Sequence, residues 1–139
     1  MTGPVRLIEV DGLFGGVPYA YAATTPSGAR LVHLAGACPL DADGAVLGVG
    51  EFSVQAEACL ANMRTALAAV GAGMEDVVHV RALVASSARA DLAAVWEVVH
   101  DAFGERTPPG TLLGVTVLGW PDQLVEIEAV AAVLDHGTG

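Results

Sequence analysis

The chain has no lysine: its six basic residues are Arg6, Arg30, Arg64, Arg81, Arg89 and Arg106. That absence excludes Schiff-base catalysis, covalent pyridoxal phosphate and a Walker-type phosphate loop, each of which uses a lysine amine. The arginines are scattered and face sixteen acids, for a formal net charge of −10. A nucleic-acid surface needs clustered positive charge, so no nucleic-acid partner is expected. Cysteine is scarce too. Cys38 and Cys59 form no CxxC pair and have no histidine pair nearby. No metal and no organic cofactor are expected, because no ligand set is visible. Two lone thiols, with no signal-peptide pattern in Met1–Arg6, suit a cytoplasmic location. No apolar run is long and unbroken enough to span a membrane. Charged residues are only 16% of the chain and hydrophobic residues 53%, which rules out intrinsic disorder.

The 139 residues suit one domain, 1–139, that buries roughly 68% of its unfolded surface. Val5–Val10, Tyr19–Thr24 and Arg30–Ala35 read as strands, the last two joined by the turn Thr25-Pro26-Ser27-Gly28. Ser53 is placed to cap a helix with apolar positions at Val54, Leu60, Met63, Leu67 and Val70, ended by Gly71 and Gly73. Val77–Ala85 follows as a strand, and Ala90–Phe103 as a helix with Leu92, Val95, Val99 and Ala102 on one face. Thr111–Leu118 and Leu124–Val133 complete a β-β-β-α-β-α-β-β order.

In the last strand Val125, Ile127, Ala129, Ala131 and Val133 share one face, and Leu124, Glu126, Glu128, Val130 and Ala132 the other. Several other strands are apolar on much of both faces. Two helices of this size cover only one face of a sheet, so the second calls for another copy of the chain. A homo-oligomer is the expectation from patterning alone.

Several segments, in order across residues 17–133, resemble the RidA/YjgF family. They are Pro18-Tyr19, then Val32 to Leu40 against a "F-V-S-G-Q-x-P" segment, then Gln55 with Asn62 and Leu67 in the first helix. Asp76-Val77-Val78, Leu92 to Val95 with Phe103, and Leu124 to Ala131 against "V-E-I-E-A-I-A" follow. The resemblance implies an α+β, chorismate-mutase-like fold: a roughly six-stranded mixed sheet, two helices on one face, and a homotrimer whose sheets form a central barrel. It also implies three inter-subunit clefts for a small molecule, which in such proteins hydrolyse enamines and imines to a keto acid and ammonia.

The family's cleft arginine, in "P-A-R-[ST]", aligns with Gly110 in Pro108-Pro109-Gly110-Thr111. Its cleft asparagine aligns with Trp96, and the position after "R-[ST]" is Leu112. The resemblance makes Glu126 the catalytic candidate, activating water. It makes Tyr19, Ala35, Gly36, Trp96, Gly110, Thr111 and Leu112 the ligand-binding candidates. Each has a plainer alternative: Glu126 and Glu128 as structural carboxylates, Tyr19 and Trp96 as packing residues. Glu126 and Glu128 on one buried face repel each other, an arrangement that prepares one of them for acid–base work. Cys38, bordering the cleft, reads as a small buried residue, and Cys59 as core. Arg81 is expected to pair with Glu126 or Glu128; if it reached the cleft it would replace the lost arginine. Two functions follow: an enamine/imine deaminase-like hydrolase with an altered substrate, or a non-catalytic trimer that binds a small ligand or partner.

Overall fold

In the computed structural model, which describes residues 3–135, the last strand organises the molecule. The elements are β1 (Arg6–Ile8), β2 (Ala22–Thr24), β3 (Arg30–His33), α1 (Phe52–Ala69), β4 (Val77–Val84), α2 (Arg89–Phe103), β5 (Gly110–Gly114) and β6 (Val125–Val133). Single 3-10 turns precede β4 and follow α2. The six strands do not form one sheet: β1 and β2 pair with each other, and the rest make a four-stranded mixed sheet ordered β3-β6-β4-β5. Only β4 and β5 run parallel, as the α2 crossover between them requires.

Both helices lie on one face of this sheet. Val125, Ile127, Ala129 and Ala131 of β6 and Val80, Ala82 and Val84 of β4 are buried there. They meet Ala56, Cys59, Leu60, Met63 and Leu67 of α1, at helical spacing, and Val95 and Val99 of α2. The opposite face carries Leu31 and His33 of β3, His79 and Arg81 of β4, and Thr111 and Leu113 of β5, all exposed.

Ser53 does not cap α1. The helix begins one residue earlier because Phe52 packs on the core, and Glu51 takes the cap position without a side-chain bond. The other end follows expectation. Gly71, at φ 76°, donates to the Ala68 carbonyl while the Ala72 N–H donates to Leu67 O, a Schellman closure. The strand expected over Thr111–Leu118 stops at Gly114. Its partner β4 ends at Val84 and turns into α2, so beyond the Val115 N–H to Val84 O bond the edge strand has nothing to pair with.

β3 continues past His33 along β6, but out of step. Leu34 N–H bonds Ala129 O, and Ala37 then exchanges two bonds with Ile127. Ala35 and Gly36 together therefore oppose the single residue Glu128, which is a β-bulge.

Candidate functional site

The bulge and the β6 alternation bring one carboxylate cluster together. Val125 and Ile127 turn to the helices, so Glu126 projects from the opposite face, beside Gly36 and Cys38. Cys38 Sγ donates to Glu126 Oε1 at 3.2 Å. Gln123 Nε2 donates to the same oxygen at 3.4 Å and to Val125 O at 3.0 Å. Gln123 Oε1 accepts the Trp120 backbone N–H at 3.1 Å. One oxygen of Glu126 is thus anchored twice, while Oε2 has no donor among the described residues. A Cβ added to Gly36 would lie 2.6 Å from that free oxygen, so glycine keeps it open.

Burial raises the Cys38 thiol above its ordinary range, and the hydrogen bond and charge of Glu126 raise it further; Gln123 and Trp120 pull weakly the other way. Cys38 is therefore a protonated donor to Glu126 rather than a thiolate nucleophile. It is half-buried, not fully buried as the sequence suggested. Cys59 is core.

The mutual repulsion of a buried Glu126–Glu128 pair does not hold. Arg81 Nη2 lies 3.1 Å from both Glu128 oxygens, and these side chains are 45% and 37% exposed. Within one chain Arg81 is paired with Glu128, one of the two partners expected for it.

Tyr19, Trp96 and Gly110 form a second group. The Tyr19 ring stands edge-on to Trp96 at 6.1 Å and to Tyr21 at 5.9 Å. A Cβ on Gly110 would fall 2.7 Å from Trp96 Cη2 and 3.0 Å from Val80 Cγ1. The indole fills the space a side chain at 110 would need. Its Nε1 is buried without a partner among the described residues. Ala35 is exposed in the bulge, and Thr111 is exposed opposite Arg81. Leu112 lies on the same helix-side face of β5 as Gly110: it pairs with Ala82 and packs on the core.

The two groups lie on different faces of the sheet. Gly110 shares Val80's buried face, whereas Glu126 shares the open face with Leu83. Within one chain they do not meet. Sequence reasoning had overlooked Gln123, whose one signal is a buried amide directly before an apolar strand.

The sequence model of the family described as endoribonuclease L-PSP matches residues 17–133. The chain belongs to this family, also called RidA/YjgF. The conserved Rid family protein YyfB of Yersinia pestis is 31% identical, covers 94% of this chain and 99% of its own, and superposes with a TM-score of 0.84. A Mycobacterium tuberculosis member of the YjgF group is also 31% identical, at 93% and 99% coverage and a TM-score of 0.62. A RutC family protein of Pyrococcus abyssi is 29% identical over 102 residues, 73% of this chain and 78% of that one. RidA of an Antarctic Psychrobacter, 22% identical at a TM-score of 0.67 over 92% of this chain and 99% of its own, shares the fold. The α+β fold read from the sequence is thus the RidA/YjgF fold.

Proposed function

We propose that this RidA/YjgF chain acts as a homotrimer. The open sheet faces would pack together, and each cleft would join Glu126 of one copy to Tyr19, Trp96 and Gly110 of the next. The cleft receives a small reactive metabolite, and Glu126 Oε2 activates water for hydrolysis of an enamine or imine. An enamine first takes up a proton at carbon to become the imine. Water then attacks the C=N carbon and its first proton passes through Oε2 to the nitrogen. The hydroxyl proton of the resulting carbinolamine follows by the same route as the C–N bond breaks, giving a carbonyl compound and ammonia. The observation that carries this reading is Glu126 itself: Oε1 is anchored by Cys38 and Gln123, and Oε2 is left free at Gly36.

Gly110 and Trp96 favour a second reading, a trimer that binds a ligand without turning it over. With an indole in place of a guanidinium, no bidentate clamp holds a substrate carboxylate. Nuclease activity, as in the family's description, is not carried to this chain, because an excess of ten negative charges works against phosphate binding. Two free thiols fit a reducing cytoplasm.

The test is release of keto acid and ammonia from 2-iminobutyrate, generated in situ by an amino-acid oxidase. Acceleration by the wild type that is lost in Glu126→Ala supports the hydrolase. An inert wild type whose activity appears in Trp96→Asn/Gly110→Arg supports a cleft retuned for another ligand.

A further inference from the structure

A cleft of about 710 Å³ opens between residues 7–21 and the C-terminal end of α2 with its following 3-10 turn. It shares Tyr19 with the cleft proposed above, but Glu126, Gly36, Trp96 and Gly110 do not line it. We propose that it is a second ligand site, built for a small organic ammonium with an apolar body.

Its volume falls in the range of small-molecule sites, and its walls are held by their own contacts. Tyr21 Oη donates to Phe14 O at 2.8 Å, which ties the glycine-rich loop to the strand that follows it. Tyr19, the second aromatic wall, stands against Trp96 and Tyr21. Ala20 N–H donates to Thr107 O at 3.0 Å and closes one side.

The hydrogen-bond network fixes the role of His100. Thr107 Oγ1 donates its one proton to Gly104 O at 2.7 Å. His100 Nδ1, 2.8 Å from the same oxygen, must therefore be the donor. In the neutral ring Nε2 is then a lone-pair acceptor, and it has no partner among the described residues.

The remaining polar lining has one sign. Glu9, Asp11 and Glu105 are at the cleft and no arginine lines it; Arg106, next in the chain, gives Nη2 to Val5 O. An ammonium finds an acceptor at His100, aromatic rings at Tyr19 and Tyr21, and carboxylates at the mouth. A carboxylate or phosphate finds three like charges.

The probes are phenethylamine, 2-phenylethanol and phenylacetate, one ring with three head groups. They are titrated into the ¹⁵N-labelled protein and read by amide shifts. Phenethylamine should give saturable shifts over residues 7–21 and 100–107. The alcohol should bind at least about tenfold more weakly, and phenylacetate not at all. Tyr19→Leu and His100→Phe should each weaken phenethylamine about tenfold, with the free-protein amide shifts of the β6 strand and of α1 unchanged. If His100→Phe does not fold, Tyr19→Leu and the head-group series decide. Equal binding of all three probes, shifts centred on Gly36, Cys38 and Glu126, no saturable shifts, or undiminished binding by Tyr19→Leu would overturn the proposal.

Discussion

At the scale of the residue, Gly110 and Trp96 are one decision. An indole reaches across from α2 to the spot where a Cβ on β5 would begin. Restoring arginine alone therefore drives a side chain into Trp96 Cη2 and Val80. Gly110→Arg should lower stability by about 1–3 kcal/mol through overpacking, and Trp96→Asn/Gly110→Arg should recover most of that loss. Thermal unfolding of both variants checks it; a Gly110→Arg protein as stable as wild type would mean that the indole moves aside freely. Cys38 offers a second handle. Burial and Glu126 both hold its thiol in the protonated form, so Glu126→Gln removes one cause and leaves the other. Cys38 should then react faster with a disulfide reagent near neutral pH, though still more slowly than a free thiol. An unchanged rate would remove Glu126 from the account of that thiol. Cys59 gives the pH dependence of stability. Its folded pKa is raised far above the ordinary 9.0, first by burial, so the native state keeps a proton that the unfolded chain loses. Stability is full below pH 9 and falls above it, by about 1.4 kcal/mol per pH unit until the folded thiol itself ionises. Cys59→Ala should flatten that alkaline decline in urea titrations.

At the scale of the element, Gln55 ties three segments together. It is fully buried in the first turn of α1. Its amide donates to Gly48 O and Asp122 O, and its carbonyl accepts the Leu124 N–H at 2.7 Å. It thus fixes the turn that carries Gln123 toward Glu126. Gln55→Ala leaves buried backbone groups without partners and should cost about 3 kcal/mol. In calorimetry, a loss below 1 kcal/mol would mean that water replaces the amide. The residue was visible in the sequence as part of a family pattern, but its work was not, because two of its three partners lie 67 and 69 positions away. The same division runs through the fold. The alternation in Leu124–Val133 and the spacing of Leu60, Met63 and Leu67 are local periodicities that the structure follows, whereas Val54 and Val70, read onto the same helix face, are 42% and 40% exposed at its two ends. The split of six strands into two sheets, the early end of β5 and the bulge at Ala35 and Gly36 depend on which strand lies alongside. No local pattern encodes that. Glu126 was legible because its neighbours set its face; the phase of β5, which turns Gly110 and Leu112 to the helix side, is set by β4.

At the scale of the whole molecule, the face that carries Glu126 is the open one. Leu31 is 52% exposed and Leu113 40%, on a sheet whose other face is covered by both helices. Packing these faces against further copies would bury them. Identical copies with ten excess negative charges each repel, and salt screens that repulsion within about 10 Å at 0.1 M. Association should therefore tighten as ionic strength rises, the opposite of an assembly held by ion pairs, and sedimentation at low and high salt measures the direction. Leu31→Glu/Leu113→Glu adds two charges per chain to the apolar face and should release monomers at micromolar concentration. The two proposed sites then part company. A cleft that needs two copies loses any 2-iminobutyrate hydrolysis with the trimer. The cleft at Tyr21 and His100 lies within one chain, so the monomer should still bind phenethylamine. A variant that still self-associates would place any contact between copies elsewhere, and a monomer with full hydrolysis would show that Glu126 acts without a neighbour.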